Sequence, residues 1–181
     1  MKWTVDASHS SVEFSVKHLM ISTVKGRFKV YSGKVEFDEG KAHESKIDVN
    51  IDVSSVDTQD ERRDGHLKSP EFFNTEKYPT ITFRSTKVEK ISDEEYKATG
   101  ELTILDVTKE VVLDVEYAGQ AKSHFGDNRA GFTAKTSINR KDFGLNWNVA
   151  LEAGGVVVSD KVNISLDVEL VEEVAKVEAV A

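Results

Sequence analysis

A chain of 181 residues without a Gly-, Ser- or Pro-rich linker is the size of one domain, long enough to bury roughly 70% of the surface its unfolded form exposes. The absence of cysteine excludes disulfides, thiolate catalysis and cysteine metal sites. A net charge of −8 disfavours nucleic acid or an anionic membrane as the partner of the molecule as a whole, since both call for a cationic face.

In chain order, residues 1–6 enter a strand-like pattern at once, with no apolar run of signal-peptide length, and no later stretch could span a bilayer. The expectation is a cytoplasmic protein with no integral membrane association. Val12, Phe14, Val16 and His18 share one face of a strand while Ser11, Glu13, Ser15 and Lys17 share the other. Past Gly26, Phe28 and Val30 are set inward, but Val35 and Phe37 fall in the opposite phase, which predicts a bulge or bend near Gly33. Ile47, Val49, Ile51 and Val53 alternate with Asp48, Asn50 and Asp52, the signature of an antiparallel sheet with one wet face.

The alternation then stops. Thr58-Gln59-Asp60-Glu61 reads as a T-x-x-E capping box, predicting a helix from about Gln59 to just before Pro70. Ser69-Pro70 opens a short turn that presents Phe72 and Phe73, so the insert has the make-up of a lid. Strand pattern resumes with Ile81 and Phe83, and Val88 lies in the opposite phase. Tyr96, Ala98, Gly100, Leu102 and Ile104 form the next inner face, joined through residues 106–109 to Val111, Leu113, Val115 and Tyr117 as a hairpin. Two more strands carry Ala130 to Ile138 and Val162 to Leu170. Residues 1–171 read as one domain and residues 172–181 as a frayed tail.

About eight antiparallel strands in a meander can form a sandwich or a closed barrel, and closure alone removes every edge. The expected class is therefore all-β, an extended eight-stranded antiparallel barrel with a short helical insert. Small inner residues (Ala98, Gly100, Ala130, Ala134, Thr136) suggest an unfilled apolar cavity, although in a sandwich they would only bring two sheets closer.

Residues 3–6 with His9-Ser10, Phe14 to His18 with Gly26-Arg27-Phe28, Arg63-Asp64 with His66-Leu67 and Phe72-Phe73, Tyr78-Pro79 with Ile81 and Phe83 to Ser85, Gly100 to Ile104, and Arg140 with Asp142-Phe143-Gly144 together resemble the YceI-like family. The likeness runs through nearly the whole chain in order. It implies a lipocalin-like barrel whose long cavity holds a polyisoprenoid or a similar long-chain amphiphile such as a fatty acid or amide, without catalysis. Asp106 departs from it, standing in a turn where relatives often have glycine.

On that reading the tail contacts are Phe14, Val16, Phe28, Phe83, Leu102, Ile104, Leu113, Phe132, Ile138 and Phe143, inward by alternation or next to it. The polar-head candidates are His18, Arg62, Arg63, His66 and Arg140. Charge pairing inside a solvated helix competes for the insert's arginines, since Arg63 follows Asp60 by three residues and Asp64 follows Glu61 by three, and Asp64 has two further uses, as a partner for Arg63 or as an acceptor for loop amides. The five histidines show no H-x-x-H or H-E-x-x-H spacing, so neither metal nor cofactor is expected. A hydrolase or isomerase acting on a lipid-like substrate would need His18, His66 and a carboxylate within reach of one another. A purely structural barrel would be filled and dry. Pairing into a homodimer through an outer face is compatible with the surface composition.

Overall fold

A chain that alternates apolar with polar can bury its apolar face only by pairing edge to edge with others of like pattern. In the computed structural model, which describes residues 1–152 and 154–174, the paired runs are β1 (Lys2–Val5), β2 (Ser11–His18), β3 (Ser22–Phe28), β4 (Tyr31–Glu36), β5 (Lys46–Asp52), β6 (Val56–Asp57), β7 (Thr80–Lys90), β8 (Glu95–Ile104), β9 (Val107–Lys122), β10 (Asn128–Asn139) and β11 (Val158–Glu172). One α-helix, α1 (Glu61–Lys68), interrupts them. The antiparallel order β1-β4-β5-β7-β8-β9-β10-β11 returns to β1 through Trp3 opposite Glu172, so eight staves close a barrel. β2 continues the β1 stave along β11, β3 pairs with β2, and β6 pairs with the end of β3.

Several expectations are corrected. The phase change after Phe28 is not a bulge at Gly33, because β4 pairs with β1 and β5 without a register shift. The chain instead leaves β3 at Lys29 and Val30 and starts β4 on new neighbours. Val30, expected inside, is 57% exposed at that break. The second phase change, before Val88, is a bulge between Ser85 and Lys87. The hairpin after Ile104 is tighter than read, since Ile104 pairs directly with Val107 and Leu105 takes φ +56° in the turn.

The helix starts later than the capping box implies. Asp60 is the N-cap, its carboxylate accepting the Arg63 amide at 3.0 Å. Thr58 is diverted: its amide (2.9 Å) and hydroxyl (2.6 Å) both donate to Asp64, a charged acceptor that outcompetes a neutral cap. Asp64 thus serves the loop amide. Backbone pairing runs two residues past the expected boundary at 171, because Glu172 pairs with Trp3 and the Glu173 amide donates to the Lys2 carbonyl at 2.8 Å; residues 175–181 lie outside the described residues.

Antiparallel staves place their connections alternately at two ends. One end carries the 3-10 segment Glu39–Glu44 and the turns at 91–94 and 123–127. Trp3, 1% exposed, closes it with its indole N–H on the Phe37 carbonyl at 3.4 Å. The Phe37 ring sits 5.8 Å from Tyr96, 5.4 Å from Tyr117 and 5.2 Å from Phe132. The Tyr117 hydroxyl donates to Glu39, and burial together with that bond pushes its pKa up to about 12. The other end carries the turn at 19–21, α1 with residues 69–79, and the long connection 140–157.

Candidate functional site

Inside the ring lies an apolar cavity of about 500 Å³, lined from Val5, Phe37 and Leu170 near the aromatic end to His66, Phe72 and Trp147 beneath the helix. Two glycines keep it open. A Cβ on Gly26 would lie 2.3 Å from the Phe14 ring, and one on Gly100 would lie 2.5 Å from both the Phe83 ring and the Arg84 carbonyl. The tip of each ring therefore occupies the space a side chain on the neighbouring strand would take. Ala98, Ala134 and Thr136 add short side chains to the lining.

Phe14, Val16, Phe28, Phe83, Leu102, Ile104, Leu113, Phe132 and Ile138 all line this cavity. Phe143 does not. It sits in the 3-10 turn Arg140–Phe143, 2% exposed, buried among other core side chains outside the lining. The strand ends at Asn139, and the inward parity of alternation has no meaning beyond that point.

Among the head-group candidates, the structure brings His18, Arg63, His66 and Arg140 to the lid end of the lining and leaves Arg62 exposed outside it. Arg63 does not pair with Asp60 through its side chain. Its Nε donates to the Thr58 hydroxyl and its Nη2 to the Thr58 carbonyl, both at 2.7 Å, which ties α1 to the end of β6. Arg140 is 3% exposed, and its guanidinium donates to the carbonyls of Ser159 (2.9 Å), Leu145 (2.6 Å), Trp147 (2.9 Å) and Val158 (3.3 Å). Burial lowers its pKa below the usual guanidinium value. With most of its donors engaged on backbone, Arg140 is a clamp for the 145–158 connection.

The lid itself is aromatic. His66 bonds Glu71 and meets Phe72 and Trp147 edge-on at 5.0 and 4.8 Å, while Phe73 stands 6.0 Å from Phe28. His18 is not part of the His66–Glu71 pair. Leu145 and Trp147, both in the lining, were not readable from sequence, because residues 144–157 are aperiodic and no alternation assigns them a side.

One grouping of possible metal ligands occurs among the described residues, Asp6, His9 and Glu169, on the outer surface by the aromatic end. A guanidinium already occupies its centre: Arg129 contacts Asp6 at 2.8 Å, Asp127 at 3.0 Å, and Glu169. Hydrogen bonds from Ser8 and His9, with a further one from Arg129, hold Asp6 well below the usual carboxylate range. The cluster is an ion network stitching β1, β10 and β11. No helix among the described residues is long and apolar enough to cross a membrane.

The sequence matches the family model of the YceI-like domain over residues 3–170. A UPF0312 protein of Staphylococcus aureus is 40% identical over 168 residues, 92% of this chain and 95% of its own. Among solved structures, a Campylobacter jejuni YceI protein is 42% identical and superposes with a TM-score of 0.75 over 87% of this chain and 90% of its own. A polyisoprenoid binding domain from Saccharophagus degradans, 18% identical, shares the fold with a TM-score of 0.68 over 94% of this chain and 98% of its own.

Proposed function

Because this chain belongs to the YceI-like domain family, we propose that its barrel binds and carries a single long-chain amphiphile, a polyisoprenoid or comparable lipid, and does so without chemistry. The observation that carries the reading is the cavity: one apolar space of about 500 Å³ running from the aromatic end to the lid, within the roughly 300–1,000 Å³ of typical ligand sites. The polyisoprenoid binding of the S. degradans domain points the same way.

Affinity in this mechanism comes from the tail. Each buried methylene contributes about 0.8 kcal/mol, so about ten supply on the order of 8 kcal/mol before association costs. An ion pair at an exposed mouth adds only about 0–1 kcal/mol. The head group orients the ligand beneath the lid, where His18, Arg63 and His66 stand. Arg62 drops out of that role because it lies outside the lining, and Arg140 because four backbone carbonyls take its guanidinium.

Native mass spectrometry of the purified protein, followed by organic extraction, tests the reading. A co-purifying long-chain lipid, or saturable binding of a fluorescent prenyl or acyl probe, supports it. Neither adduct nor probe binding overturns it. Phe132→Trp, which adds bulk to the lining, should lower probe affinity about tenfold while the fold survives; unchanged affinity removes Phe132 from the site.

A further inference from the structure

The β2–β3 hairpin ends in Leu19, Met20 and Ile21, which are 36, 57 and 82% exposed. Leu19 and Met20 take φ of +52° and +61°, and the turn closes with the Ile21 amide on the His18 carbonyl at 3.1 Å. Asparagine and glycine fill such left-handed turn positions without strain, whereas long apolar side chains there do nothing for the hairpin itself. A neighbouring loop adds to the tip: the Leu19 amide donates to the Val157 carbonyl at 2.9 Å, the Val157 amide donates to Val149 at 3.1 Å, and Val149 is 49% exposed. Its flank is cationic in an otherwise acidic chain. Residues 14–35 contain five Lys or Arg and no carboxylate, while the whole protein carries 32 acidic residues and a net charge of −8. Arg27 and Lys29 are engaged by Asp57 at 3.5 and 3.8 Å. Of the other three, Lys34 lies on β4 opposite Thr4 and Asp48, away from the hairpin, while Lys17 and Lys25 share one outward face of it, as judged by the pairing of Lys17 with Thr23 and Ser15 with Lys25.

From these observations we infer that the 19–21 tip is a membrane-docking wedge, which seats the lid end of the barrel on an anionic lipid surface so that ligand passes between bilayer and cavity without crossing water. The inference rests on the proposed lipid-carrier function and adds the partner surface to it. Continuity places the wedge at the door: His18 just before the tip and Val157 bonded to it both line the cavity. Three apolar side chains at the headgroup boundary, with lysines behind them facing anionic headgroups, form the combination that holds peripheral proteins on bilayers. The acidic remainder of the chain keeps other faces off the same surface.

The test uses vesicles of phosphatidylcholine with or without phosphatidylglycerol, and a fluorescent prenyl probe. Wild-type protein should co-float with the phosphatidylglycerol vesicles and take up probe from them at a rate that rises with vesicle concentration. Met20→Asp/Ile21→Asp should lower vesicle binding about tenfold or more, and Lys25→Glu about fivefold, with probe affinity in vesicle-free solution unchanged in both. Phe125→Asp, at an 81% exposed apolar site on the opposite end, is the control and should change nothing. The docking inference is overturned if wild type binds probe in solution yet does not co-float, if uptake is independent of vesicle concentration, if Phe125→Asp costs as much as the tip substitutions, or if the tip substitutions alter only the oligomeric state. Failure of wild type to bind probe in vesicle-free solution overturns the carrier function itself.

Discussion

The aromatic end and the lid end of the barrel are held by different kinds of interaction. At the first, Trp3, Tyr96 and Tyr117, on strands paired on both sides, and Phe37, just past the end of β4, are 8% exposed or less. At the second, α1 has no buried residue, and His66, Phe72 and Trp147 are only half-buried. What secures the lid end is a set of discrete hydrogen bonds, from Thr58, Arg63 and Asp64 on one side and Arg140 on the other. Apolar packing is lost only by unfolding the sheet, whereas a few hydrogen bonds and edge-on rings can open locally. One end therefore supplies stability and the other a passage.

Breaking the aromatic end should have the largest effect. Trp3→Ala removes a fully buried indole and should cost about 3–5 kcal/mol, read as a lower urea midpoint with an unchanged m-value. Arg140→Met follows, because the carbonyls of Ser159, Leu145, Trp147 and Val158 lose a donor at once; about 2–4 kcal/mol is expected. Hydrogen exchange sharpens the contrast here, with faster exchange expected across residues 145–158 and little change in β8 and β9. If both substitutions loosened the whole barrel alike, the two ends would not be separable.

Trp147→Ala should cost about 1–3 kcal/mol, the worth of its two ring contacts, and yet raise the exit rate of a bound probe several-fold in stopped-flow displacement. An unchanged exit rate would place the passage elsewhere. The smallest effect is alkaline. Tyr117 holds its proton up to about pH 12 in the folded protein, and an unfolded tyrosine releases it near pH 10. Between those values the unfolded chain binds fewer protons, so stability is fully present below about pH 10 and falls as pH rises through the window, by on the order of 1 kcal/mol. Tyr117→Phe should flatten that limb of a stability–pH curve; an equally steep fall would assign it to other groups.

Much of the lining was legible because a strand's side chains keep parity. Phe14, Val16 and Phe28 on one part of the wall, and Leu102, Ile104 and Leu113 on another, follow from alternation alone. Parity fails wherever the chain leaves the ladder. It cannot place Val30 at the break between β3 and β4, Phe143 in a 3-10 turn, or Trp147 in an aperiodic connection. The arginines of the insert and Arg140 look alike in sequence, but solvent takes Arg62, Thr58 takes Arg63 and four carbonyls take Arg140.

By itself the amino-acid order determined which runs have strand pattern and, within each run, which side chains turn toward the axis, since these depend on a local period and on neighbours one or two residues away; that eleven strands make eight staves was decided by the pairing. Only the closed tertiary structure decided that the interior stays hollow, where each end of it lies, and which cations face it. Those outcomes depend on side chains far apart in sequence that meet in space, such as the Phe83 ring over Gly100 of the next strand or Trp147 reaching His66, and no local pattern encodes such a distance.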